Sequence, residues 1–156
     1  VVFSLARSPD GKYLASAGYD RTLKVWDPSA AKSTTSLTGH EHVVAAVDWT
    51  PDGKSIVSAG FDGTVRVWNL EERKQSATLA KQDTRVMTVA VSPDGKFIAW
   101  GGYDKAVHVR DIAATKPATT KTGHTGYVTT VRFTPDGKSL VSAGFDGMIR
   151  VWPFTE

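Results

Sequence analysis

Residues 43–69 read VVAAVDWTPDGKSIVSAGFDGTVRVWN, and three short strands joined by two tight turns account for the whole stretch. Val43 to Thr50 is a largely apolar run (Val43, Val44, Ala45, Ala46, Val47, Trp49), which predicts a buried strand. Thr50-Pro51-Asp52-Gly53-Lys54 then forms a turn: Pro presets φ, Asp bonds the local backbone, and Gly takes the left-handed conformation that closes a hairpin. Ser55 to Ala59 is the second strand and Gly60-Phe61-Asp62-Gly63 the second turn. Thr64 to Trp68 is the third strand, with Val65 and Val67 on one side and Arg66 and Trp68 on the other. Beyond Asn69 the chain turns polar, and a weaker strand at Gln75 to Leu79 has the composition of an edge facing water.

The same turn recurs. Pro-Asp-Gly-Lys starts at Pro9, Pro51, Pro93 and Pro135, each 42 residues from the last, with no insertion or deletion. A fixed period of this length marks an array in which no unit can bury its apolar face alone. Four antiparallel strands per period, apolar inside and polar outside, describe a blade, and blades packed radially make a β-propeller. The expected fold is therefore all-β, a partial propeller of four four-stranded antiparallel blades whose last blade lacks its outer strand. The blades are placed at residues 1–38, 39–80, 81–122 and 123–156, all in one propeller domain.

Bulk composition narrows the function classes. The chain is 40% hydrophobic and 22% charged, as soluble globular proteins are, and no apolar run is long enough to cross a bilayer. It contains no Cys, which excludes disulfides, thiol catalysis and thiolate metal sites but suits a reducing or an oxidising compartment equally. The reading is a soluble chain, with the cytoplasm favoured and the compartment left open. A net charge of +3 is spread over the repeats without a basic tract, so neither nucleic acid nor a membrane is expected as a partner.

In residue pattern the repeats resemble the WD40 repeat family, which places Gly-His before the first strand and Trp-Asp at the end of the third. Gly39-His40 and Gly123-His124 supply the first element; Trp26-Asp27 supplies the second, with Trp68-Asn69 and Trp152-Pro153 as near matches. The resemblance covers essentially the whole chain. It implies a structural tetrad of His, Ser, Asp and Trp, carried over onto His40, Ser58, Asp62 and Trp68 in repeat two and onto His124, Ser142, Asp146 and Trp152 in repeat four. Repeat one keeps Ser16, Asp20 and Trp26. Repeat three departs: Lys81-Gln82 replaces Gly-His, Trp100 replaces the Ser and Arg110 the Trp, leaving Asp104. No relay is expected there, so that blade should pack by apolar contact and be the softest.

An aromatic precedes each of these Asp residues: Tyr19, Phe61, Tyr103 and Phe145. The resemblance puts that position on the top face, beside the residues one and three after the Gly-His position. These are Glu41 and Val43, Asp83 and Arg85, and Thr125 and Tyr127, with Val1 in repeat one. Aromatics mixed with a few charges compose the anchor regions of protein interfaces.

Chemistry has weaker claims. Ser, His and Asp recur in register with the blades, whereas a catalytic constellation occurs once and needs an oxyanion site, so a hydrolase is rejected. His40-Glu41-His42 is rejected as a metal site because adjacent strand residues point to opposite faces, and His108 reads as a polar position on a third strand. One carboxylate per hairpin is too few for Ca²⁺. No metal or cofactor is expected.

The leading expectation is a non-catalytic scaffold binding a protein or peptide on the top face. It is read as part of a larger propeller of seven or eight blades, completed by a missing segment or by a second copy. An enzyme or small-ligand sensor using the central channel, and an engineered repeat protein for propeller assembly, are the alternatives.

Overall fold

In the computed structural model, residues 1–155 are described; they contain fifteen strands and no helix. The first sheet runs β1 (Val2–Arg7), β2 (Leu14–Gly18), β3 (Leu23–Asp27) and β4 (Lys32–Leu37). The second holds β5 (Val44–Trp49), β6 (Ser55–Gly60), β7 (Thr64–Asn69) and β8 (Lys74–Lys81). The third holds β9 (Val86–Val91), β10 (Phe97–Gly102), β11 (Ala106–Asp111) and β12 (Thr119–Thr122). The fourth has three strands, β13 (Val128–Phe133), β14 (Ser139–Gly144) and β15 (Ile149–Pro153). Every pairing is antiparallel between consecutive strands, and the inner strands β1, β5, β9 and β13 lie against one another in order. This is the partial propeller that the period predicts.

The Pro-Asp-Gly-Lys turns are tighter than their four residues suggest. In the second sheet the Gly53 N–H donates to the Thr50 carbonyl (2.9 Å) and the Lys54 N–H to Asp52 Oδ1 (3.0 Å). The hydroxyl before the proline completes the loop: Thr50 Oγ1 donates to Asp52 Oδ1 (2.6 Å) and accepts from the Ser55 N–H (3.1 Å). Ser8, Ser92 and Thr134 do the same in the other sheets, which explains why a hydroxyl residue precedes each proline.

Cores form between blades, not within them. Ala15, Leu23 and Val25 of the first sheet pack with Val44, Val47, Ile56 and Trp68 of the second. Val57, Val65 and Val67 then pack with Val86, Val89, Ile98 and Trp100 of the third, and Ala99, Val107 and Val109 with Val128, Val131 and Leu140 of the fourth. Strand alternation does this: Ile56 faces the preceding blade and its neighbour Val57 the following one. Polar straps cross the same seams on the inner strands. Trp49 Nε1–H donates to the Ala6 carbonyl (3.0 Å), the Val131 N–H to Thr88 Oγ1 (3.1 Å) and the Val91 N–H to Asp48 Oδ2 (2.9 Å). Burial pushes the Asp48 carboxyl above its ordinary pKa against the pull of the backbone N–H groups of Val91 and Trp49 and of Arg132.

Each inner strand also carries one irregularity at its start. Pairing skips Phe3 in β1, Ala45 in β5, Met87 in β9 and Thr129 in β13, a bulge repeated with the period. A bulge re-aims its extra side chain, and at Phe3 that matters below.

The turns also stack from blade to blade. A Cβ added at Gly53 would have only Pro9 Cδ nearby, at 3.9 Å, whereas one at Gly95 would meet Pro51 Cδ at 3.2 Å. Both glycines have positive φ, 68° and 75°. Gly53→Ala is expected to cost roughly 1–2 kcal/mol from backbone strain, and Gly95→Ala measurably more because the proline must also give way. Urea unfolding midpoints compare the two; equal losses would mean that the stacked turns are not in firm contact.

Candidate functional site

At the opposite ends of the same strands, second turns bring two sequence series together through the backbone. The Phe61 N–H donates to the Val43 carbonyl (2.9 Å), Tyr103 N–H to Arg85 (3.0 Å), Phe145 N–H to Tyr127 (2.9 Å) and Tyr19 N–H to Val1 (2.8 Å). Each turn aromatic is thereby pinned beside the residue 18 positions earlier. The approach is close enough that a Cβ at Gly102 would collide with the Arg85 carbonyl oxygen.

The rings that result form a continuous arc. Phe3 meets Phe61 edge-on with centroids 6.2 Å apart, Phe61 lies 6.4 Å from Tyr103, and Tyr103 stacks on Tyr127 at 4.1 Å with the planes 5° apart. Phe145 continues from Tyr127 at 6.1 Å, and His42 flanks Phe61 at 5.9 Å. The Arg85 guanidinium sits 5.0 Å from the Phe61 centroid and 5.4 Å from that of Tyr103. Phe61, Tyr103 and Tyr127 are half-buried, while Phe3 and Phe145 stand exposed at the two ends.

The other expected top-face residues are distributed differently. Glu41, Asp83 and Thr125 are exposed, and the backbone N–H groups of Glu41 and Thr125 donate to Asp62 and Asp146 (2.9 and 3.0 Å). Val43 corrects the expectation: it is 4% exposed, so it supports Phe61 through its carbonyl and offers no side chain to a partner. Among the described residues Tyr19 makes no ring contact; Phe3 takes the corresponding place. Phe3 escapes a reading by period because its equivalents at the same bulge are Ala45, Met87 and Thr129, so the first blade alone has a ring there.

Beneath the arc lie the polar relays. Trp68 Nε1–H donates to Ser58 Oγ (2.8 Å), the Ser58 hydroxyl to His40 Nε2 (2.7 Å), and His40 Nδ1–H to Asp62 Oδ2 (2.8 Å). Trp152, Ser142, His124 and Asp146 repeat this at 2.8 Å for each link. In the first sheet Trp26 donates to Ser16 (2.8 Å), and Asp20 bonds Thr22 and Lys24. A further series runs across these turns: Lys24, Arg66 and His108 each reach the Asp four residues earlier, at 3.2, 3.4 and 2.6 Å. The i, i+4 spacing was visible in every repeat and is a signal that the tetrad pattern alone overlooks.

The third blade corrects the expectation of purely apolar packing. His108 Nε2–H donates to Asp104 Oδ2, Gln82 Nε2–H donates to the same oxygen (3.1 Å), and His108 Nδ1 meets Thr120 Oγ1 at 3.1 Å. Trp100, at the Ser position, stacks on the His108 ring with centroids 5.3 Å apart. The indole has moved from the third strand to the second, and an imidazole on the third strand reaches Asp104 from the other side. Arg110, at the Trp position, caps the carbonyls of Leu79 (2.7 Å) and Ala114 (3.1 Å). Gln82 Oε1, Trp100 Nε1, Arg110 Nε and Asp111 Oδ1 remain buried without a partner.

The four-fold pattern has a counterpart among known proteins. The chain belongs to the WD40 repeat family: the WD domain, G-beta repeat matches residues 1–27, 31–69, 73–111 and 115–153. Over 46 residues, 30% of this chain, it is 41% identical to the general transcriptional corepressor TUP1 of Saccharomyces cerevisiae, covering 6% of that protein. Over 40 residues, 26% of this chain, it is 45% identical to the nuclear distribution protein PAC1 of Coccidioides posadasii, covering 8% of that protein. The matched stretches thus span a small part of either relative.

The relay aspartates set the response to acid. Burial would raise the Asp62 carboxyl, but hydrogen bonds from His40, Thr64 and the Glu41 N–H outweigh it and hold the group well below its ordinary range. Asp146 is lowered to about 2, where the N–H groups of Met148 and Thr125 and the His124 ring outweigh burial. Folded pKa values below the unfolded ones give stability that is present above about pH 4 and is lost as the pH falls toward about 2. Thermal melts across that window should show a steep loss in the wild type. Asp62→Asn should start less stable yet lose less per pH unit; an unchanged slope would remove Asp62 from the acid response.

Proposed function

We propose that this chain is a non-catalytic scaffold that binds a protein or peptide across the arc from Phe3 to Phe145. The observation that carries this reading is the arc itself: five rings in sequence, of which Phe61, Tyr103, Tyr127 and Phe145 are held by backbone bonds at the turns, with exposed rings at both ends. Rings already in place leave little conformational freedom to lose on binding. The recurrence of the relays in register with the blades supports a structural role for them, not a catalytic one. The names of the two relatives, a transcriptional corepressor and a nuclear distribution protein, fit an interaction role for such repeats.

Panning a random peptide phage library tests it. Phe145→Ser should lose the captured peptides while its melting temperature stays within a degree or two of the wild type, since Phe145 is 71% exposed. A lowered melting temperature with capture intact would make the rings packing elements and nothing more.

We also propose that the outer faces of the first and fourth sheets are covered by further blades of the same pattern, from a second copy or another segment. Ile149 is 72% exposed, whereas its equivalents Leu23, Val65 and Val107 are fully buried; Leu5 is 63% exposed where Val47, Val89 and Val131 are buried. Covering each such side chain contributes roughly 1.5–3 kcal/mol. The faces are of the two kinds that meet at every internal seam. The chain alone should therefore self-associate in sedimentation experiments, and Leu5→Glu with Ile149→Glu should make it monomeric. A monomeric wild type would argue against pairing between copies.

A further inference from the structure

Arg85 is the exception within its own series. The equivalent positions hold Val1, Val43 and Tyr127, so the charge belongs to this blade alone. Its guanidinium lies over Phe61 and Tyr103, near the middle of the arc, with exposed rings at either end. Among the described residues it makes no hydrogen bond or ion pair, although Asp83 lies two residues away and Glu41 is exposed on the preceding blade. Its contacts with the two rings are cation–π contacts that use none of its N–H donors in a hydrogen bond, so those donors are open to a partner.

We infer that the arc recognises an extended peptide bearing a carboxylate side chain between apolar or aromatic residues, with the carboxylate seated on the edge of Arg85. The inference rests on the reading of the arc as a protein-binding face and names the partner's chemistry. Three features select that chemistry. A guanidinium edge matches a carboxylate in two parallel hydrogen bonds. The rings on both sides favour apolar flanks. The ring-to-ring steps of 4.1 to 6.4 Å suit a segment of roughly six or seven residues, which rises about 3.3 Å per residue when extended. Because the two rings hold the cation in place, little side-chain freedom is lost when the acid arrives.

The test uses two pooled libraries of fluorescein-labelled heptapeptides, apolar or aromatic at the flanking positions, one with Glu and the other with Gln at the centre. Fluorescence anisotropy with the full chain should show the Glu pool binding about tenfold tighter or more, with the advantage shrinking as salt is raised. Arg85→Gln should erase the difference between the pools while leaving the melting temperature within a degree or two of the wild type. Arg85→Lys should restore only part of it, because an ammonium keeps the charge but not the paired donors. Equal binding of the two pools to the wild type, both lost in Phe145→Ser, overturns the carboxylate inference and leaves the arc as a binding face. Failure of both pools to bind overturns the carboxylate inference and the reading of the arc as a binding face.

Discussion

Sheet-on-sheet packing across the blade seams is the constraint on which the rest of the molecule depends. No blade has an interior of its own. Its strands alternate side chains to two faces, and each face is buried only by a neighbour, as Ile56 and Val57 show by entering different cores. The turns follow from this arrangement. They must return the chain within a few residues so that inner strands stay adjacent, and the hydroxyl, Asp and Gly of each Pro-Asp-Gly-Lys loop satisfy the backbone while doing so. The contrast between buried Val65 and exposed Ile149 has the same origin.

The polar relays solve a second problem, how to bury an indole, an imidazole and a carboxylate together beneath the turns. Two solutions coexist. In the second and fourth sheets every donor in the chain from Trp to Asp finds an acceptor. In the third, the indole has changed place, with Trp100 on the second strand and Arg110 at the indole's usual position, but four buried polar atoms go unpaired. Unpaired buried groups cost stability, so this blade is the least satisfied of the four. It is also the blade that gives the arc its cation. A local rule is relaxed where a surface feature is gained, a pairing that accompanies function in other proteins.

Much of the architecture was legible because it is local and repeated. The 42-residue spacing, the turn chemistry and the alternation of Val65, Arg66, Val67 and Trp68 are written in consecutive residues and depend on little else. The resemblance to the WD40 pattern brought His40, Ser58, Asp62 and Trp68 together correctly enough that the hydrogen bonds among them are unsurprising. Alignment by period was less reliable wherever geometry breaks the period. It set Tyr19 beside Phe61 and Tyr103, and it treated Val43 and Arg85 as equivalents although one is buried and the other exposed.

What the sequence determined by itself, then, is the blade: its strands, its turns and the order in which like units follow one another, since hydrogen bonding and turn geometry act over a few residues. Tertiary structure alone decided which side chains share a surface. Phe3 reaches Phe61 through a bulge, and Tyr103 stacks on Tyr127 across a seam. His108 reaches Asp104 from the third strand where the usual relay is lost, and Arg85 rests between two rings of different blades. These contacts depend on angles and distances between sheets, which arise only when apolar faces far apart in sequence close on each other.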